Sequence, residues 1–172
     1  MPTCLMLFMY PRKQLLPLGL GMSALGFYLV GFQVHEKSIL LPLMPVTMLI
    51  TEGNLDSTSW IGWINNIAMF SMWPLLKREG LGLQYSVIIG FWNWLCGMYK
   101  LSTNRMGRTL QMLSYLAILS IHLLDAAFPQ SLRWPDLWVV ANVVVSCGCF
   151  GIFFVWGNVQ LFIQVRKKQK EG

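Results

Sequence analysis

Six apolar runs, set apart by short stretches that hold nearly all the charge, constrain this chain more than any other feature. They fall at about residues 15–34, 38–51, 60–76, 83–101, 109–128 and 137–165. A helix rises 1.5 Å per residue, so about 20 apolar residues cross the roughly 30 Å of hydrocarbon in a bilayer. Runs of this size would use most of the 172 residues. The chain is 55% hydrophobic and 12% charged, whereas soluble domains carry about 25% charged residues. That balance excludes an ordinary water-soluble globular protein. The expected fold is all-α, a polytopic transmembrane helix bundle of about six spans. It divides into a short N-terminal segment (1–14), the bundle (15–165) and a basic tail (166–172).

The first run carries Gly19, Gly21, Gly26 and Gly31, which let neighbouring helices approach closely. The second is short and holds Pro42 and Pro45, so it is either a thin, broken span or a re-entrant segment. Residues 52–59 read as a polar loop, and Lys77-Arg78-Glu79-Gly80 closes the third run. The net charge of +6 would suggest a nucleic-acid partner in a soluble protein. Here the basic residues sit between apolar runs, so their position reports topology and no nucleic acid is expected. With six crossings, Arg12, Lys13, Lys100, Arg105, Arg108, Arg166, Lys167, Lys168 and Lys170 face one side, against Lys37, Lys77, Arg78 and Arg133 on the other. Lys and Arg collect on cytoplasmic loops, which puts both termini in the cytoplasm and His35 outside it. If the second run only dips in, the split becomes eight to five and the N-terminus changes side.

The N-terminus does not fit a cleaved signal, because the apolar stretch precedes Arg12-Lys13. Cys4, Cys96, Cys147 and Cys149 show no CxxC spacing, so neither a disulfide framework nor a metal site is expected. Lys168 and Lys170 have the KxKxx spacing of a dilysine retrieval signal. A generic basic stop at a helix end accounts for them as well.

His35-Glu36-Lys37 places three ionisable residues at a membrane boundary, where charge is costly unless paired or functional. Consecutive helical residues point about 100° apart, so only a break in the helix could turn all three toward one ligand. Lys37 would then pair with a phosphate as a point charge, with histidine donating to the same oxygens. The alternative is an interfacial polar cap in which Glu36 and Lys37 screen each other. His122 and Asp125, three apart on one helix face, are candidates to line the same cleft or to form a packed, mutually satisfied pair. Asn65, Asn66, Asn93 and Asn142 read as interhelical hydrogen-bond partners. Trp60, Trp63, Trp134 and Trp138 near run ends read as an interfacial aromatic belt. No GxSxG, P-loop, HExxH or dinucleotide fingerprint is present, so those chemistries lack motif support.

Residues 25–49, LGFYLVGFQVHEKSILLPLMPVTML, resemble the signature of the endoplasmic-reticulum glucosyltransferases that extend the dolichol-linked oligosaccharide. Gln33 before Val34-His35-Glu36-Lys37 is similar to the first-glucose, α-1,3-transferring branch rather than the second. The resemblance runs more loosely to about Val165 and corresponds to the C-terminal third of the family's usual length.

It implies the C-terminal part of a GT-C type fold in the endoplasmic-reticulum membrane, multi-pass with a cytosolic C-terminus. Dolichyl-phosphate glucose would be the co-substrate and the mannose-capped dolichyl-pyrophosphate oligosaccharide the acceptor, with no cofactor and no metal. It also implies that His35, Glu36 and Lys37 belong to the donor-phosphate region, with Gln33, His122 and Asp125 as further cleft candidates. The family's general base is an aspartate in an upstream lumenal loop. Asp56, Asp125 and Asp136 do not match it, so no catalytic residue is assigned here and catalysis by the isolated chain is not expected. Two other classes stay open on residues alone: a non-enzymatic membrane subunit or scaffold, and a small proton-coupled transporter using His35, Glu36 and His122.

Overall fold

The computed structural model describes residues 2–31, 35–52, 55–97, 99–127 and 136–169. Among them the regular elements are helices: α1 (Pro2–Met9), α2 (Leu16–Val30), α3 (Leu40–Met48), α4 (Leu55–Ser71), α5 (Trp73–Arg78), α6 (Gly82–Cys96), α7 (Arg105–Ala127) and α8 (Leu137–Gln169). Short 3₁₀ turns, Glu36–Ile39 and Leu49–Glu52, flank α3.

Cross-helix contacts pair residues in step and so reveal direction. Asp56 meets Ser102, Trp63 meets Ser114, Asn66 meets Tyr115 and Trp73 meets Asp125, so α4 with α5 runs parallel to α7. Phe70 meets Asn142 while Trp60 stacks on Trp156, so α4 is antiparallel to α8. Tyr28 packs on Phe150 and Met22 lies against Gly157, which makes α2 antiparallel to α8 as well. Because α2 and α4 therefore point the same way, the segment between them must return the chain to its starting end. A dip that re-emerges on the side it entered does not fit this geometry. The two 3₁₀ turns lengthen this segment. At about 2.0 Å per residue they stretch Glu36–Glu52 to roughly 30 Å, where a uniform α-helix would reach about 26 Å.

Several boundaries differ from the apolar runs. Residues 55–59 belong to α4 and are not loop, and 2–9 of the N-terminal segment form α1, which packs on α2. The third run is two helices, because Pro74 lacks the N–H that would bond the Phe70 carbonyl. The fourth run stops at Cys96, where Gly97 takes a left-handed conformation (φ 62°) and donates to the Asn93 carbonyl. The fifth starts at Arg105, since the Asn104 side chain accepts from Met106 N–H at 3.3 Å as an N-cap.

The core lies between α2, α3, α4 and α8 and is built on Met22, Trp63, Ile67, Phe150 and Phe153. A Cβ on Gly21 would stand 2.5 Å from Val46 Cγ2, and one on Gly157 would collide with Met22, so these glycines set how closely α2 approaches α3 and α8. Trp60 and Trp63 are buried rather than interfacial. The sequence missed this because the position of a residue along a run does not say which face it occupies. Trp134 lies outside the described residues. Residues 105–127 of α7 and 137–166 of α8 are long and apolar enough to cross a membrane, and α2 and residues 37–48 are shorter apolar helices. Only 17% of the α7 window and 28% of the α8 window are buried within the chain. The core helix of a soluble protein would be mostly buried, so these faces are suited to lipid or to further helices.

Candidate functional site

Polar side chains gather at the two ends of the bundle and chemistry is concentrated at one of them. There α2 closes on Gly31, whose N–H donates to the Phe27 carbonyl at 2.8 Å before the backbone turns extended. Gly31 and His35 are both extended and a 3₁₀ turn opens at Glu36, so α2 ends before the triplet. His35 is extended (φ −67°, ψ 141°), its carbonyl accepts from Ser38 N–H at 2.9 Å, and His35 and Lys37 are exposed. Glu36 opens the 3₁₀ turn. Gln33 and Lys170 lie outside the described residues, and Lys168 is on the last turn of α8.

At the same end His122 and Asp125 share a face of α7 but take different hydrogen-bond partners. Asp125 Oδ1 receives Lys77 Nζ at 2.6 Å and its Oδ2 accepts from Trp73 Nε1 at 3.3 Å. His122 Nε2 lies 3.3 Å from Tyr85 Oη, and the ring meets Phe70 and Trp73 edge to face at 5.4 and 4.7 Å. The expected mutual pair is thus replaced by a cluster in which Trp73 joins the two residues. The sequence held one signal for it. Lys77 and Asp125 both fall at the outer ends of their runs, but their register needed the fold. A cavity of about 550 Å³ opens beside the ion pair, lined by Trp73, Lys77, Arg78, Asp125, Asp136 and Trp138. Aromatic faces beside both signs of charge can hold a polar, hydroxyl-rich or phosphorylated group. Pro74 lines this cavity and also a smaller chamber that reaches Gly31.

All four asparagines bond across helices. Asn66 and Asn93 exchange reciprocal bonds of 3.0 and 2.7 Å, Asn66 also reaches Tyr115 Oη at 3.1 Å, Asn65 meets Thr47, and Asn142 Nδ2 donates to the Phe70 carbonyl at 2.8 Å. The opposite end holds a network that sequence reasoning missed. Asp56 Oδ1 accepts from Ser102 Oγ at 2.6 Å, Thr103 Oγ1 at 3.0 Å and Thr103 N–H at 3.2 Å. Burial works to raise the Asp56 carboxyl, but these hydrogen bonds outweigh it and hold it below the ordinary carboxylate value. Gln111 accepts from Ser102 N–H, and Arg108 Nε donates to the Ser102 carbonyl. The network clamps the α6–α7 loop to the start of α4 and has a structural role.

Residues 1–156 match the model of the ALG6, ALG8 glycosyltransferase family. The chain belongs to that family. Among its curated relatives is a Schizosaccharomyces pombe protein named "Probable dolichyl pyrophosphate Man9GlcNAc2 alpha-1,3-glucosyltransferase", 46% identical over 91% of this chain and 31% of its own length. The Saccharomyces cerevisiae dolichyl pyrophosphate Man9GlcNAc2 alpha-1,3-glucosyltransferase is 34% identical over 99% of this chain and 37% of its own length. The Gallus gallus protein of the same name is 32% identical over 92% and 36%. The chain therefore spans about a third of the length of the curated relatives it matches. The matched ALG6, ALG8 region includes both the His35–Lys37 segment and the Lys77–Asp125 cluster.

Proposed function

We propose that this chain forms the C-terminal, donor-binding part of an inverting α-1,3-glucosyltransferase of the endoplasmic-reticulum membrane. It crosses the bilayer six times with its C-terminus cytosolic, in the manner of a GT-C type bundle, and the end bearing His35 and the Lys77–Asp125 cluster is lumenal. Lys168 and Lys170 serve as the retrieval signal. Dolichyl-phosphate glucose is the donor, and the mannose-capped dolichyl-pyrophosphate oligosaccharide is the acceptor.

The observation that carries this proposal is the break after α2. It leaves His35 exposed within about 14 Å of Gly31, the reach of four extended residues, with Lys37 exposed two residues further on. Gly31 in turn shares a chamber wall with the Pro74 turn that leads to Lys77 and Arg78. Cationic groups at this end of the bundle suit a lipid phosphate. The glycosyl phosphodiester carries one negative charge. As the anomeric C–O bond breaks, its electron pair leaves with the phosphate oxygen and a second charge develops there. An ammonium at Lys37 and a donor at His35 stabilise that leaving group more in the transition state than in the ground state, which is what accelerates the step. A mannose hydroxyl attacks the opposite face of the glucose and gives up its proton to a base. That base is assigned to the part of the family's length outside this third.

Lys37→Ala, introduced at the matching position of a full-length relative, should lower kcat with dolichyl-phosphate glucose by about 10²-fold. Lys37→Arg should restore part of it. Unchanged donor dependence in Lys37→Ala would remove the phosphate role, and glucose transfer by the purified chain alone would overturn the placement of the base.

A further inference from the structure

We propose that the chamber between the end of α2, the α4–α5 turn and α8 is a binding site for neutral hydroxyl groups, held by Asn142 Oδ1 and Ser146 Oγ. It measures about 190 Å³, and its wall includes Tyr28, Gly31, Ser71, Pro74, Asn142 and Ser146. The polarity of this wall follows from a single backbone defect. Pro74 cannot donate to the Phe70 carbonyl, so Asn142 reaches across from α8 and donates through Nδ2 at 2.8 Å. That bond fixes the amide, because a flipped side chain would set oxygen against oxygen. Asn142 Oδ1 is thereby committed as an acceptor, and it is buried without a partner in a residue only 1% exposed.

Ser146 stands one turn further along the same face of α8 and is 3% exposed, and its Oγ is also unpartnered. Several other helical hydroxyls behave differently. Ser71, Ser86, Thr109, Ser114 and Ser120 each donate back to a carbonyl three or four residues earlier. Ser146 forgoes that local bond and lines the chamber.

The ligand chemistry follows from these atoms. Asn142 Oδ1 demands a donor, while Ser146 Oγ can donate or accept. Among the described residues no carboxylate, ammonium or guanidinium lines the chamber, so none of them would hold an ion there. A hydroxyl meets both requirements. At about 30 Å³ per molecule the volume suits roughly six waters, or the hydroxyls of one sugar residue with part of its lipid. The chamber reaches Gly31 at the end of α2, so its occupant would also brace that helix end against the proline turn. The site itself stands apart from the proposed transfer activity; only a sugar-lipid source would depend on it.

The test uses this chain in lipid vesicles permeable to solutes, with the four native cysteines replaced by alanine. Ser146→Cys is compared with Val144→Cys, which lies exposed on the outer face of α8. Charged methanethiosulfonates react with the thiolate in water, so Ser146→Cys should be labelled at least about tenfold faster than Val144→Cys. Slowing by added dolichyl-phosphate glucose assigns the hydroxyls to the sugar lipid, and an unchanged rate assigns them to water; either supports the site. Labelling as slow as at Val144 overturns it. Thermal unfolding of Ser146→Ala gives a second readout: a lowered midpoint is expected, and an unchanged or raised one means a dry chamber.

Discussion

Lys77 and Asp125 are unequal partners, and the difference predicts which substitution hurts more. The Asp125 side chain is 10% exposed and that of Lys77 is 47% exposed. Removing the carboxylate returns the ammonium to water, whereas removing the lysine strands a carboxylate that keeps the Trp73 indole as a donor. Lys77→Met should therefore cost about 1–3 kcal/mol, and Asp125→Asn less, because the amide oxygen can still accept from the indole. The reverse order in chemical or thermal unfolding would refute this account. Asp56 gives a pH-dependent counterpart. Its folded value lies below the ordinary 3.8, so its network contributes fully above that pH and is lost as pH falls through the depressed value. Asp56→Ala should lower the unfolding midpoint at neutral pH, and the gap to the unsubstituted chain should close only below about pH 3.8. A gap independent of pH would mean that the carboxylate is not the stabilising group. At this scale the sequence marked His122 and Asp125 as sharing a face, because spacing of three is local helical geometry. It could not supply Tyr85, Trp73 or Lys77 as their partners, which lie 37 to 52 residues away.

Pro74 and Asn142 show how a helix break is made tolerable inside an apolar bundle. The proline leaves the Phe70 carbonyl without its helical donor, and an asparagine 72 residues away supplies one. Asn142→Leu should cost about 1–3 kcal/mol, since the carbonyl would be buried unpaired. In a Pro74→Ala background the restored N–H can serve that carbonyl, so the cost of Asn142→Leu should fall, measured as a coupling of about 1 kcal/mol in a double-mutant cycle. Purely additive costs would mean the two residues do not share the carbonyl. The element count from hydropathy was close, because each return of the chain needs an apolar stretch. Helix ends were less legible. Gly97, Asn104 and Pro74 decide them through backbone chemistry, to which a run of apolar letters is blind. The short second run was misleading for a related reason: its length in residues understates its reach once 3₁₀ turns lengthen it.

For the whole molecule, the outer faces of α6, α7 and α8 expose Phe91, Trp94, Leu116, Leu123, Val144 and Val155, which water would not tolerate as a continuous surface. If the parallel course of α2, α4 and α7 reports six crossings, turns alternate strictly between the two sides. A glycosylation acceptor tag inserted after Gly80 should be modified in microsomes, and one inserted beside Lys100 should not. Modification of both or of the second alone would refute the topology. What the sequence determined by itself was the medium, the helical class, the charge asymmetry and the family signature at His35–Lys37. These are properties of composition and local order, readable one residue after another. What only the tertiary structure decided was the direction of each helix, the pairing of Lys77 with Asp125 and of Asn66 with Asn93, the burial of Trp60 and Trp63, and the chamber under Pro74. Each depends on the rotation and register of helices about one another, and packing sets both only when all the faces meet.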